Sequence, residues 1–239
     1  SWSAVNTGMR EIWVRSLAVS GTNLFAGTRR NGVFLSTDNG TSWTPINSGM
    51  TDGNVRSLAV SGTSLFAGVY ADGVFHSTDN GTSWSQSALV NTDVWSLAVS
   101  GANIFAGTFY GLFLSSDSGS SWTAINSGLA DVVVSSLVFS STNLFAGTGG
   151  GVFHSTDSGT SWSAVNSGLT NVSVNSLAFS GTNLYAGTDG GGVFLSTNDG
   201  ISWSQVNSGL TDLRVLSLAV SGTNLFAGTR GGVFHSSNN

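Results

Sequence analysis

Two phrases carry the reading of this chain: Ser16–Thr28, SLAVSGTNLFAGT, and Ser36–Trp43, STDNGTSW. The first returns from Ser57 as SLAVSGTSLFAGV, from Ser96 as SLAVSGANIFAGT, from Ser136 as SLVFSSTNLFAGT, from Ser176 as SLAFSGTNLYAGT and from Ser217 as SLAVSGTNLFAGT. The second returns at Ser77–Trp84 as STDNGTSW, at Ser115–Trp122 as SSDSGSSW, at Ser155–Trp162 as STDSGTSW and at Ser196–Trp203 as STNDGISW. A sixth copy is split between the two ends, because the chain finishes HSSNN and opens SW. Tryptophans 2, 43, 84, 122, 162 and 203 are spaced 41, 41, 38, 40 and 41 residues apart, so six repeats of about forty residues use the whole chain.

Within a repeat, apolar and small residues alternate with period two, as in Leu24-Phe25-Ala26-Gly27 and Val33-Phe34-Leu35-Ser36. Glycine, asparagine, serine and aspartate separate these runs, and nothing shows an apolar stripe at helical spacing. The first full repeat predicts four strands, Val14–Ser20, Asn23–Thr28, Gly32–Asp38 and Ser42–Asn47. Four antiparallel strands at this period describe a propeller blade, so the expected fold is all-β, a six-bladed β-propeller. The blades fall at about 12–47, 55–88, 94–126, 133–166, 173–207 and 213–239 with 1–6, which makes residues 1–239 one domain. An open array exposes strand edges at both ends, so the split sixth motif implies ring closure by the strand Ser1–Asn6 joining Leu213–Ser237, a 3+1 blade.

Composition narrows the classes further. The chain has 239 residues, 40% hydrophobic and only 8% charged, with 33 Gly and a net charge of −5, which excludes a disordered chain. With no Cys there is neither a disulfide framework nor a thiolate metal site. All seven cations are Arg, too few for a generic nucleic-acid binder. Low charge without Lys or Cys fits an extracellular or periplasmic monomer, and no metal or cofactor is implied.

The second phrase resembles the Asp-box, S-x-D-x-G-x-x-W, of BNR-repeat propellers such as those of sialidases, sortilin-like receptors and photosystem II assembly-factor-like proteins. The matching residues are Asp38, Gly40 and Trp43; Asp79, Gly81 and Trp84; Asp117, Gly119 and Trp122; Asp157, Gly159 and Trp162; and Gly200 and Trp203, with Asn198 and Asn238 where the box has Asp. As a turn device, the carboxylate accepts backbone N–H groups, the glycine supplies a positive φ and the tryptophan packs on the blade, and an asparagine carbonyl accepts equally well. The histidines His76, His154 and His235 share one repeat position with Leu35, Leu114 and Leu195, which marks them as half-buried packing residues.

The copies disagree at two places. One is the loop between the second and third strands, Arg29-Arg30-Asn31, Tyr70-Ala71-Asp72, Phe109-Tyr110, Gly149-Gly150, Asp189-Gly190-Gly191 and Arg230-Gly231. The other precedes Ser-Leu, where Arg15, Arg56, Trp95, Ser135, Asn175 and Leu216 stand, with Trp13, Asn54, Asp93, Val133, Ser173 and Arg214 two residues earlier. In an up-and-down blade both places fall on one rim, opposite the Asp-boxes. Loops on a rigid scaffold often carry binding residues, and loops also vary because nothing constrains them. The arginines, numbers 10, 15, 29, 30, 56, 214 and 230, all belong to the sixth, first and second repeats. Guanidinium groups clustered there suit carboxylate, sulfate or phosphate, and Trp95, Phe109, Tyr110 and Tyr70 add flat apolar surface. The expected site is therefore Arg15, Arg29, Arg30, Arg56, Trp95, Phe109 and Tyr110, taking a glycan or an acidic peptide or protein.

A sialidase would need more. That resemblance implies an arginine triad, a tyrosine nucleophile with a glutamate partner and an acid/base aspartate. The one glutamate is Glu11, no tyrosine pairs with it by sequence, and Asp72 and Asp189 are loop carboxylates without an evident partner. The expectation is a non-catalytic binding scaffold. The alternative is an engineered or recently amplified repeat with no evolved ligand, and a sialidase-like hydrolase ranks below both.

Overall fold

The computed structural model describes residues 3–9, 13–130, 133–140 and 143–237. Its described secondary structure is strand throughout. The first sheet orders β1 (Val14–Ser20), β2 (Asn23–Thr28), β3 (Val33–Ser36) and β4 (Thr44–Pro45) side by side. The second holds β5 (Val55–Ser61), β6 (Ser64–Val69), β7 (Gly73–Ser77) and β8 (Ser85–Gln86). The third holds β9 (Val94–Ser100), β10 (Asn103–Thr108), β11 (Gly111–Ser115) and β12 (Thr123–Ala124). The fourth holds β13 (Val134–Ser140), β14 (Asn143–Thr148), β15 (Gly151–Ser155) and β16 (Ser163–Ala164). The fifth holds β17 (Val174–Ser180), β18 (Asn183–Thr188), β19 (Gly192–Ser196) and β20 (Ser204–Gln205). The sixth has three strands among the described residues, β21 (Val215–Ser221), β22 (Asn224–Thr229) and β23 (Gly232–Ser236). All pairings are antiparallel meanders, as the short turns require.

The first two strands of each repeat match the sequence expectation, and the outer two are shorter. Third strands end at the Asp-box serine, and fourth strands keep two ladder residues. Pro45, the only proline, sits on such an outer strand, where its missing N–H costs no internal ladder bond. The expected strand Ser1–Asn6 falls partly outside the described residues, and its described part, residues 3–6, carries no strand. That segment meets the first sheet where Trp43 donates its indole N–H to Val5 O at 2.8 Å and its backbone N–H to Thr7 O at 2.8 Å, the two bonds that Trp84 makes to Ile46 O and Ser48 O of the repeat before it.

The chain divides into two compact units, residues 1–109 with 113–124, and residues 110–112 with 125–239. In the first, β1, β5 and β9 pack in succession; in the second, β13, β17 and β21 do the same. Two devices join successive sheets inside each unit. A serine on the inner strand accepts a hydrogen bond from the next inner strand, Leu58 N to Ser16 Oγ at 2.9 Å and Leu97 N to Ser57 Oγ at 2.9 Å in the first unit. Leu177 N to Ser136 Oγ at 2.9 Å and Leu218 N to Ser176 Oγ at 3.0 Å repeat this in the second. Gly27, Gly68, Gly147 and Gly187 then each admit a valine of the next sheet: a Cβ on Gly27 would lie 2.7 Å from Val55 Cγ1, and one on Gly68 2.6 Å from Val94 Cγ1.

Between the sheets lies a dry core. Phe25, Val33, Val55, Leu65, Val69 and Phe75 are buried, with Trp84 wedged among them. Its counterpart Trp203 is packed with Phe145, Val152, Leu184 and Phe194. Each tryptophan reaches back one sheet, Trp84 Nε1 to Ile46 O at 2.7 Å and Trp203 Nε1 to Val165 O at 2.7 Å. The Asp-box turn launches it. In the first repeat Ser36 Oγ donates to Asp38 Oδ1 at 2.7 Å, while Gly40 N donates to Ser36 Oγ at 2.8 Å. Ser42 N donates to Asp38 Oδ1 at 2.9 Å and Ser42 Oγ to Oδ2 at 2.6 Å. Gly40 has φ 85°. Asn198 keeps the acceptor role, since Ser196 Oγ and Ser202 N both reach its Oδ1 at 2.9 Å, and its Nδ2 donates to Ser202 Oγ.

This turn fixes an acid response. The Ser42 hydroxyl, then the Ser42 backbone N–H and the Ser36 hydroxyl, hold the Asp38 carboxyl down to about 2. Equivalent serines hold Asp79 and Asp157 at about 2, and Asp117 is lowered the same way. A carboxyl lowered by folding adds stability that is complete above its unfolded value of about 3.8 and lost as pH falls toward the folded value. Melting temperature should therefore drop between pH 4 and pH 2, and drop less in the variant Asp38→Asn/Asp79→Asn/Asp117→Asn/Asp157→Asn. Equal acid losses in both proteins, measured by thermal scans over that window, would remove the turn carboxylates as the cause.

Candidate functional site

The variable position before Ser-Leu has a structural identity that the sequence does not announce: it is a β-bulge. On β1, Val14 faces Thr28 and Ser16 faces Gly27, leaving Arg15 as the extra residue. Arg56 is extra between Val55 and Ser57, and Trp95 between Val94 and Ser96. A bulge releases one residue from the ladder and redirects its side chain, so it tolerates chemistry that the strand interior does not.

The two variable places are also tied together. Arg29 N donates to Trp13 O at 3.0 Å, Tyr70 N to Asn54 O at 3.0 Å and Phe109 N to Asp93 O at 3.1 Å. Each loop after the second strand therefore starts beside its own bulge. In the second sheet the result is a stack. The Arg56 guanidinium lies 3.8 Å from the Trp95 ring centroid and 4.7 Å from that of Tyr70. A second stack forms in the first sheet, where Arg29 lies 4.1 Å over Trp13. A guanidinium sandwiched by aromatic faces keeps its in-plane N–H groups available while its conformational freedom is already spent.

The polar balance around Arg56 is incomplete. Arg56 Nε and Trp95 Nε1 are both buried donors without a hydrogen-bond partner, and Asn54 Oδ1 and Thr92 Oγ1 are likewise buried and unpartnered. Burial first, and the like charge of Arg15 second, lower the Arg56 pKa, while Asp93 and Tyr70 act in the opposite direction. Asp93 spends Oδ1 on Ala71 N at 2.8 Å, which holds Ala71 at φ 62° in the left-handed region that a non-glycine residue seldom adopts.

The remaining expected residues are spread wider. Arg15 is exposed on β1, and Arg30 is exposed beside a small cavity lined by Asn31, Asn47, Thr51 and Asp52. Phe109 and Tyr110 stand at the β10–β11 turn, 48% and 62% exposed. The seven arginines do not act as one free cluster: Arg214 is paired with Asp189 at 2.7 Å, and Arg10 lies outside the described residues. Sequence marks Trp13 and Asn54 only as variable positions; the stacking of Trp13 on Arg29 and the buried, unpartnered Thr92 were not identified from it.

Of the groups a sialidase reading would recruit, Tyr70 stacks on Arg56, Asp72 accepts from Thr51 Oγ1 at 2.6 Å and Asp189 is in the ion pair, while Glu11 lies outside the described residues. The histidines pair across strands with aromatic rings, His76 on Phe66 at 4.5 Å and His154 on Phe145 at 4.4 Å, and burial lowers the pKa of both.

No protein-family model matches this chain, and no curated protein matches it. Solved structures do. The extracellular domain of the one component system BT4673 from B. thetaiotaomicron is 22% identical with a TM-score of 0.77, over 93% of this chain and 32% of that one. An ancestral GH74 enzyme is 21% identical with a TM-score of 0.78, over 96% of this chain and 36% of its own. YCF48, solved bound to D1 peptide, is 18% identical with a TM-score of 0.74, over 95% and 79%. The chain thus spans about a third of the length of the first two. At these identities the likeness is one of fold, and with the six repeated sheets it gives the conclusion that the chain is a six-bladed β-propeller.

Proposed function

We propose that this propeller is a non-catalytic binding module whose ligand presents an anionic, acceptor-rich group, on an acidic glycan or an acidic peptide, to Arg56 and Trp95. The observation that carries this reading is the pair of buried, unpartnered donors, Arg56 Nε and Trp95 Nε1, on side chains stacked at 3.8 Å. A buried donor without a partner forfeits its hydration, and an oxygen ligand bridging the two recovers it. An anion there also offsets the repulsion between Arg56 and Arg15. Exposed Tyr70, Phe109 and Tyr110 supply faces for a sugar ring or an apolar side chain. Neighbours of the same fold include both a GH74 enzyme and extracellular domains, and the second group supports an extracellular or periplasmic setting. Among the described residues no helix is long and apolar enough to cross a membrane.

The test is an array of acidic glycans and acidic peptides probed with the purified monomer at low and physiological salt. A hit should weaken with salt. It should fall roughly tenfold or more in Arg56→Ala, because a charge-assisted bond is worth about 1.5–3 kcal/mol. The melting temperature of that variant should stay within about 3 °C of the parent, because half-buried Arg56 lies outside the apolar clusters between sheets and its Nε has no hydrogen bond to lose. A hit unaffected by Arg56→Ala, or an Arg56→Ala protein that fails to fold, would contradict the assignment.

A further inference from the structure

Seven Asn-Gly and Asp-Gly pairs occur in the chain: Asn31-Gly32, Asn39-Gly40, Asp52-Gly53, Asp72-Gly73, Asn80-Gly81, Asp189-Gly190 and Asp199-Gly200. Each sets a side-chain carbonyl carbon beside the backbone nitrogen of a residue without a side chain. Those two groups close a five-membered succinimide ring when the nitrogen can approach the carbon.

In six of the seven pairs that nitrogen is engaged. Gly40 N, Gly81 N and Gly200 N donate to the Asp-box serines Ser36, Ser77 and Ser196 at 2.8, 2.8 and 2.9 Å. Gly32 N donates to Gly53 O at 2.8 Å, Gly73 N to Thr92 O at 3.0 Å and Gly190 N to Leu213 O at 3.1 Å. Gly53 N has no hydrogen-bond acceptor among the described residues. The carboxyl before it is already folded back along the main chain, since Asp52 Oδ1 accepts from Asn54 N at 2.7 Å. The other repeats add an independent mark. Asn171 and Asp212 accept the same bond, from Ser173 N and Arg214 N at 3.0 Å each. The position that follows is Ile12, Thr92, Val132, Val172 or Leu213 in five repeats and Gly53 in the second. A glycine there puts no side chain in the way of ring closure. Packing keeps it a glycine, because a Cβ on Gly53 would collide with Arg30 O.

We propose that Asp52 is a modification site, at which the chain isomerises spontaneously to isoaspartate. Gly53 N attacks Cγ of the acid form of Asp52, and the carboxyl hydroxyl and the Gly53 amide proton leave together as water. One water then adds to the main-chain carbonyl carbon of the ring and breaks its bond to Gly53 N. The chain now runs through Cγ, one carbon longer, with no change of mass or oxidation state. That carbon enters where Gly53 O holds Gly32 N at 2.8 Å and Asn54 O holds Tyr70 N at 3.0 Å, so the modification loosens the variable loops of the first two sheets.

The experiment incubates the full chain for weeks at neutral pH, native and in urea, and maps isoaspartate in its peptides by electron-transfer fragmentation. In urea the three Asn-Gly pairs should lead, because an amide closes the ring faster than a carboxyl does. In the native chain the order should invert, with isoaspartate at Asp52 ahead of every other pair. The variant Asp52→Asn compares like with like, and its turn is one that Asn171 already makes. Its new amide should be lost roughly fivefold faster or more than those of Asn31, Asn39 and Asn80, the factor set by one net hydrogen bond at each of their glycines. Native conversion at another pair as fast as at Asp52 overturns the proposal, and so does an Asp52→Asn chain whose new amide is lost no faster than the other three.

Discussion

Trp203→Ala destabilises the protein by about 3–5 kcal/mol, the range for emptying a core site of a large aromatic side chain. Trp203 is 6% exposed, packs with Phe145, Leu184 and Phe194, and donates its indole N–H to Val165 O. Truncation therefore opens a cavity between two sheets and strands a carbonyl at once. In a chain of this size the melting temperature should fall by about 6–20 °C. Trp122 provides the control. It is half-buried at the edge of its apolar cluster, and its indole N–H donates to a serine hydroxyl, Ser87 Oγ, at 3.2 Å in place of a backbone carbonyl, so Trp122→Ala should cost clearly less. Equal losses in paired thermal or urea melts would mean that the tryptophans are not the wedges between sheets.

Gly68→Ala is the second large effect, and it acts through a single methyl group. The new Cβ would stand 2.6 Å from Val94 Cγ1 and 3.1 Å from Val94 Cβ, both fully buried on the next inner strand. Neither strand can retreat, because Leu97 N is held to Ser57 Oγ across the same junction. Overpacking of this kind costs about 1–3 kcal/mol. Val94→Ala removes the atoms in the way, so the double variant should be more stable than the two single losses add up to, by about 1 kcal/mol or more in a double-mutant cycle. Gly62, at the open tip of a turn with nothing within 4 Å, marks the contrast: Gly62→Ala meets only the strain of φ 59°. Additive losses at Gly68 and Val94 would refute the close approach.

Much of this architecture is written in the repeat. Period-two alternation gives the strands, and the forty-residue spacing gives the blades. The Asp-box spells out its own hydrogen bonds, since Ser, Asp and Gly are the residue types that its turn needs. The reach of the tryptophan to the preceding sheet is not legible, because Ile46 O and Val165 O look like any other backbone carbonyl in a sequence. The site was half legible. Disagreement among copies singles out Arg15, Arg56 and Trp95, yet alternation alone does not reveal that these are bulge residues, because a bulge adds one residue without changing composition. Counting arginines overstated the rim cluster: Arg214 is spent on Asp189, a loop residue whose counterparts in the first two repeats are Arg29 and Tyr70.

The measurement that bears most directly on the binding site is nitrogen-15 NMR of the Arg56 Nε–H and Trp95 indole N–H while an acidic glycan and an acidic peptide are titrated in turn. With one of them, both resonances should shift together and saturate at the same ligand concentration, while the Trp203 indole, locked on Val165 O, stays in place. Two donors that remain unmoved while the ligand demonstrably binds elsewhere would place the binding site away from the Arg56–Trp95 stack.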